Sequence, residues 1–185
     1  KPGEGWHYNN GGDDLSVSGW IALGLKSAKA ADLHAMHSKD AKTVFKEYKD
    51  WVHKVMANPE TGLGKYRPGP KETQKMGWVA MFNKQFLGYG KSDPFLKKAS
   101  EVTIEAVKKG GFIGRDQPGD VYGIYYGTLS AFQAQGDAWK AWNPAMKKTL
   151  VLSQKVGKPQ ELGGSWDPTS GHTAEKGGRV LTTAL

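Results

Sequence analysis

The chain has 185 residues, 38% of them apolar, and no cysteine. It is long enough to bury a core without staples, and it excludes disulfides, thiol nucleophiles and thiolate-held zinc or iron–sulfur centres. The formal charge is +8, but only Arg67, Arg115 and Arg179 are arginines and no basic run exceeds two residues. This basic protein therefore reads as carrying solvated lysine faces rather than a nucleic-acid surface.

No apolar stretch approaches the roughly 18 residues of a membrane span. The start, Lys1-Pro2-Gly3-Glu4-Gly5, lacks an apolar signal core, and the last residues, Arg179–Leu185, form an apolar run. Both ends read as cut edges, of a processed chain or of a piece of a longer one. Processing of the N-terminus favours a place outside the cytoplasm.

Taken in chain order, a mixed apolar and small-residue segment at 15–30 reads as a buried helix. An amphipathic helix follows near 40–57, where Val44, Phe45, Tyr48, Trp51, Val52, Val55 and Met56 keep helical spacing until Asn58-Pro59. Residues 73–87 form a second buried helix. The next amphipathic helix, near 94–109, has Asp93 as N-cap and Pro94 at its first position, and it stops at Gly110-Gly111. Residues 121–135 form a third buried helix. Asn143-Pro144 opens an amphipathic helix near 143–155, closed by Gly157-Lys158-Pro159, and 178–185 forms the last buried helix. The expected fold is all-α, with about seven helices.

A repeat underlies this order. An acid stands six positions before an anchor four times: Asp14 before Trp20, Glu72 before Trp78, Asp120 before Tyr126 and Glu175 before Leu181. Upstream of each acid lies a glycine with an aromatic, in Gly5-Trp6, Gly64-Lys65-Tyr66, Gly111-Phe112 and Gly164-Ser165-Trp166. Such a period holds one helix pair and a decorated loop. In that unit the acid caps a buried helix, small residues allow close packing, and the loop aromatic covers a helix end.

Gly5-Trp6-His7-Tyr8, Asp14–Trp20, Asp120–Gly127, Trp139–Asn143 and Gly164-Ser165-Trp166-Asp167-Pro168 together carry a resemblance. With this repeat the chain resembles the squalene-cyclase and prenyltransferase repeat proteins, and most closely the bacterial squalene-cyclase-like ones of undefined function. The resemblance implies one α/α-toroid-like domain over 1–185, of four repeat units in which inner and outer helices alternate. Seven helices are about half of a full cyclase ring. The implied object is a half ring, whose open edge would meet another protein chain or a second copy.

The resemblance also implies candidate chemistry. Cyclases of this family protonate an alkene through the middle aspartate of Asp-x-Asp-Asp. The matching stretch here is Gly11-Gly12-Asp13-Asp14, which assigns Asp13 as proton donor and Asp14 as its support, but lacks the first acid. The recurrence of an acid at the Asp14 position argues instead for capping. His34 and His37, in Asp32-Leu33-His34-Ala35-Met36-His37, are the only close His pair, with no third strong ligand fixed, so no metal or cofactor is expected. Gly11-Gly12 and Gly177-Gly178, the latter beside Arg179, read as turns before anion cradles. Trp20, Trp78, Tyr122, Tyr125 and Tyr126 stand on the inner helices, where they either line a cleft for an isoprenoid or other apolar ligand or fill the core. The reading adopted is a non-catalytic binding or assembly module. The alternative is a class II terpenoid-cyclase-like enzyme that protonates an isoprenoid.

Overall fold

The computed structural model describes residues 5–8, 13–110, 120–157, 162–168 and 172–185, and for 172–174 the backbone alone. Gly11, Gly12, Gly111, Phe112, Arg115, Lys158 and Pro159, which the sequence singles out, lie outside the described residues. The described chain is mostly helical: α1 (Leu15–Ala30), α2 (Lys39–Trp51), α3 (Gln74–Phe86), α4 (Pro94–Lys109), α5 (Val121–Ala134), α6 (Gly136–Ser153) and α7 (His172–Ala184). A 3₁₀ turn, His34–His37, precedes α2, and a π-turn, Val52–Met56, follows it. A two-stranded antiparallel hairpin, β1 (Gly64–Lys65) and β2 (Glu72–Thr73), was not foreseen. Its strands are too short to show alternation in sequence. No helix among the described residues is long and apolar enough to cross a membrane.

Two compact units divide the chain, Lys1–Ala99 and Ser100–Leu185. In the first unit, α3 packs on α1 and β1 and buries every residue from Met76 to Lys84. A helix that is buried all round must match its neighbours at close range. A Cβ on Gly77 would fall 2.8 Å from the Gly62 carbonyl oxygen, so the small residue is required there. Beside α3, Tyr48 donates to Asn83 Oδ1 at 2.9 Å and packs between the rings of Trp6 and Trp51.

Of the four repeated acids, two cap helices as the repeat requires. Asp14 Oδ1 accepts from the backbone N–H groups of Ser16 and Val17, and Asp120 Oδ1 accepts from that of Tyr122. Glu72 does something else. Thr73 is the N-cap of α3, so Glu72 falls one residue outside the helix and accepts from Asn58 Nδ2 and Thr61 Oγ1, fastening the loop before β1. Glu175 sits in the first turn of α7.

In the second unit, α5 packs on α6 and α7. The start of α6 differs from expectation. It begins at Gly136, and Pro144 lies inside it. Gln135, with φ 58°, turns the chain sharply between α5 and α6. Ala138 and Trp142 are then buried, and this packing outweighs the break that Asn143-Pro144 suggests. A Cβ on Gly127 would run into the Trp142 ring, whose Nε1 donates to Thr128 Oγ1 at 2.9 Å. The last helix also starts early, at His172, but kinks at Gly178, where φ is 56°. Its second half matches the expected 178–185.

Candidate functional site

The second unit holds an apolar cavity of about 400 Å³. Ile124, Tyr125, Thr128 and Leu129 of α5 supply one wall, Met146 and Leu150 of α6 another, and Trp166 with Thr182–Leu185 the rest. Helical spacing explains the first two walls, since 121, 124, 125, 128 and 129 share one face, as do 146 and 150. Trp166 comes from the segment between helices. Its ring N–H donates to the Leu150 carbonyl at 2.9 Å and its backbone N–H to Thr183 Oγ1 at 3.2 Å, so it ties that segment to α6 and α7.

Each threonine hydroxyl of the wall already has one partner within the protein. Thr128 Oγ1 accepts from Trp142, Thr182 Oγ1 donates to the Gly178 carbonyl at 2.9 Å, and Thr183 Oγ1 accepts from Trp166. No acidic side chain lines the cavity among the described residues. A space of this size and lining suits an apolar molecule, held by burial rather than by hydrogen bonds. Behind the wall, Tyr126 is fully buried, with its ring 4.9 Å from that of Tyr122 and 5.1 Å from that of Tyr125. Burial pushes the hydroxyls of Tyr125 and Tyr126 above the ordinary tyrosine range, which keeps both neutral.

The five aromatics singled out in sequence thus have different places. Tyr125 lines the cavity, and Tyr122 and Tyr126 adjoin it on α5. Trp78 is 1% exposed in the core of the first unit, whereas Trp20 is 43% exposed on α1. Leu150, Trp166 and Thr182 were not assigned to a site. Only Trp166 carried a signal, as the loop aromatic of the fourth repeat.

The acidic pair lies in the first unit. Asp13 is half-buried, and its Oδ1 accepts from the Gly5 N–H at 3.2 Å. Asp14 is fully buried, and its Oδ1 receives the Ser16 hydroxyl at 2.6 Å besides the two capping N–H groups. Burial and then the Asp14 carboxylate beside it push the Tyr66 hydroxyl up. Asp14 Oδ1 is thus committed to the start of α1. His37 Nε2 meets Asp32 Oδ1 at 2.7 Å, with both side chains mostly exposed, and no group of three His, Cys, Asp or Glu among the described residues could hold a metal ion. Arg179 is engaged with Ser165 Oγ and Asp167, and Lys155 reaches Asp167 at 2.6 Å. The side-chain hydrogen bonds of those two cations hold the Asp167 carboxyl below its usual range.

A cluster that sequence reasoning missed surrounds Lys84. Its ammonium is 1% exposed and lies 2.8 Å from Asp93 Oδ2 and 2.9 Å from His53 Nδ1. The Tyr89 ring lies 4.3 Å away and stacks on His53. Asp93 Oδ1 caps α4 by accepting from the Leu96 N–H. Burial pulls the Lys84 ammonium below the ordinary lysine value, Asp93 opposes that, and Lys49 adds to it. With both charges nearly sealed from solvent, the pair fixes the start of α4 to the end of α3.

Comparison with family models, with curated proteins and with solved structures gives no match.

Proposed function

We propose that the chain is a non-catalytic binding module built on squalene-cyclase-like α/α repeats, and that the cavity of the second unit receives an isoprenoid or other apolar ligand. The observation that carries this reading is the wall itself: mostly apolar side chains, with the hydroxyls of Thr128, Thr182 and Thr183 each already holding one partner within the protein. A cyclase would need an acid aimed at its substrate. The wall offers none among the described residues, and the Asp14 carboxylate supports a helix end. The repeat architecture, a half ring of four units, would present its open edge to another chain or a second copy. Exposed Val151, Val156 and Val180 supply apolar surface for that.

Calorimetric titration of the full chain with farnesol tests the reading. Saturable binding that Leu129→Trp abolishes is the expected result, because the larger ring fills the cavity. Absence of binding, or binding that survives this substitution, would overturn it. Sedimentation of the unliganded chain tests assembly, and a monomer at all concentrations would count against the open edge.

A further inference from the structure

The first unit carries a groove of a different kind, of about 250 Å³. Phe45, Phe86 and Leu87 form its apolar part, and Lys26, Lys29, Lys46 and Lys49 surround them. Four ammonium groups around one small cavity repel each other unless opposite charge is near. Asp50 answers one of them, at 3.3 Å from Lys46. Among the described residues the remaining contacts are not anionic. Lys26 donates to the Phe86 carbonyl at 2.8 Å, Lys29 lies over the Phe45 ring at 5.5 Å, and Lys49 lies over the Tyr89 ring at 4.6 Å.

Helix ends account for part of this crowding. Lys29 and Lys49 lie in the last turns of α1 and α2, and Lys26 meets the end of α3. Each helix C-terminus presents about half an elementary negative charge. The helical path of α2 runs on through Val52–Met56, so the ends of α1 and α3 together with Asp50, which Lys54 also approaches at 3.9 Å, still leave positive charge in excess. An ammonium has three N–H donors, and each of these contacts uses at most one, so donor capacity remains at the rim. Lys49 is also close enough to Lys84 to help depress its ammonium, which places the Lys84–Asp93 pair beside the same cationic region and leaves Asp93 committed.

We propose that this groove binds a free anionic amphiphile, its carboxylate or phosphate head among Lys26, Lys29, Lys46 and Lys49 and its apolar tail on Phe45, Phe86 and Leu87. The lysines suit a compact anion approached as a point charge, and the phenyl rings reward a tail that leaves water. The occupant differs in charge from the neutral molecule proposed for the second unit, and the two sites are separable by substitution.

Titration calorimetry of the full chain carrying Leu129→Trp, whose second-unit cavity is filled, with laurate, dodecanol and inorganic phosphate tests this. Laurate should bind about tenfold or more tightly than dodecanol and should weaken as salt is raised, since exposed charge is screened. Lys29→Gln combined with Lys46→Gln should lower laurate affinity about tenfold and leave the melting temperature nearly unchanged, both side chains being at the surface. Leu129→Trp in the second unit should leave laurate binding intact. The proposal is overturned if dodecanol or inorganic phosphate binds as well as laurate, if the double variant keeps full affinity, or if Leu129→Trp removes laurate binding. Binding to phosphatidylglycerol vesicles without binding to free laurate would overturn it as well, by assigning the lysines to a membrane surface.

Discussion

Helices α3 and α5 both mix aromatics with small residues, yet they are packed differently. In α3 the nine residues Met76–Lys84 are all buried, and even a lysine has been drawn inside. In α5 one side is buried, while Tyr125, Thr128 and Leu129 face a cavity. A helix surrounded on all sides must pair any charge it buries, as Lys84 does with Asp93. A helix covered on one side leaves room for a guest and needs only to satisfy its hydroxyls. Along Met76–Lys84 the first unit thus has a buried helix with a polar lock, whereas α5 of the second unit borders a cavity.

The strongest test of that contrast is Asp93→Ala. It leaves Lys84 buried without its carboxylate and removes the cap of α4, and should cost about 3–5 kcal/mol in urea unfolding. A loss below about 1 kcal/mol would mean that the lock does not hold the first unit together. Next comes Gly127→Ala, which drives a methyl group into the Trp142 ring and should cost about 1–3 kcal/mol by the same measurement. An unchanged midpoint would show that α5 and α6 can part, and that the cavity wall is softer than its packing suggests.

On the alkaline limb Tyr126 and Lys84 act with opposite sign. Tyr126 has a raised value in the folded state, so the folded chain holds its proton longer than the unfolded one. Its stabilising share is present below the ordinary tyrosine value near 10.0 and is lost as pH rises toward the raised value, with a slope of at most about 1.4 kcal/mol per pH unit. Lys84 acts oppositely. Its folded-state value is lowered, so its share grows as pH rises from that value toward 10.5. Tyr126→Phe should therefore flatten the alkaline loss of stability, whereas Lys84→Met should steepen it. Identical limbs in wild type and Tyr126→Phe would contradict this assignment.

The smallest expected effect compares the repeated acids. Asp120→Ala should cost about 1 kcal/mol through its lost cap. Asp14→Ala should cost at least as much, because it also orphans the Ser16 hydroxyl. Glu72→Ala should instead loosen the loop at Asn58 and Thr61, which hydrogen exchange of that loop would report. Equal helix-end fraying in all three variants would restore a single capping role for the repeat.

Much of the helical order was legible because its signals are local. Asp14, Asp93 and Asp120 announce helix starts within three residues, and the lysine faces mark helices exposed on one side. In sequence Tyr125 reads as either lining a cleft or filling the core, since an aromatic on a mixed apolar helix does one or the other, and it stands in the cavity wall. The start of α6 was not legible. Asn143-Pro144 is a local stop, and burial of Trp142 overrides it only once α5 is in place. Trp20 stayed ambiguous for the same reason: its spacing equals that of Trp78, but neighbours cover one and leave the other 43% exposed.

By itself the sequence determined the helical class, the repeated punctuation and the charge of the surface, all of which depend on residues within a turn or two of one another. Only the tertiary structure decided that α3 is buried all along Met76–Lys84 and that α5 borders a cavity. The cavity needs side chains from three helices and from the segment carrying Trp166, and Lys84 needs His53, thirty-one residues earlier in the chain. Such meetings are set by packing at a distance. No spacing rule along the chain contains them.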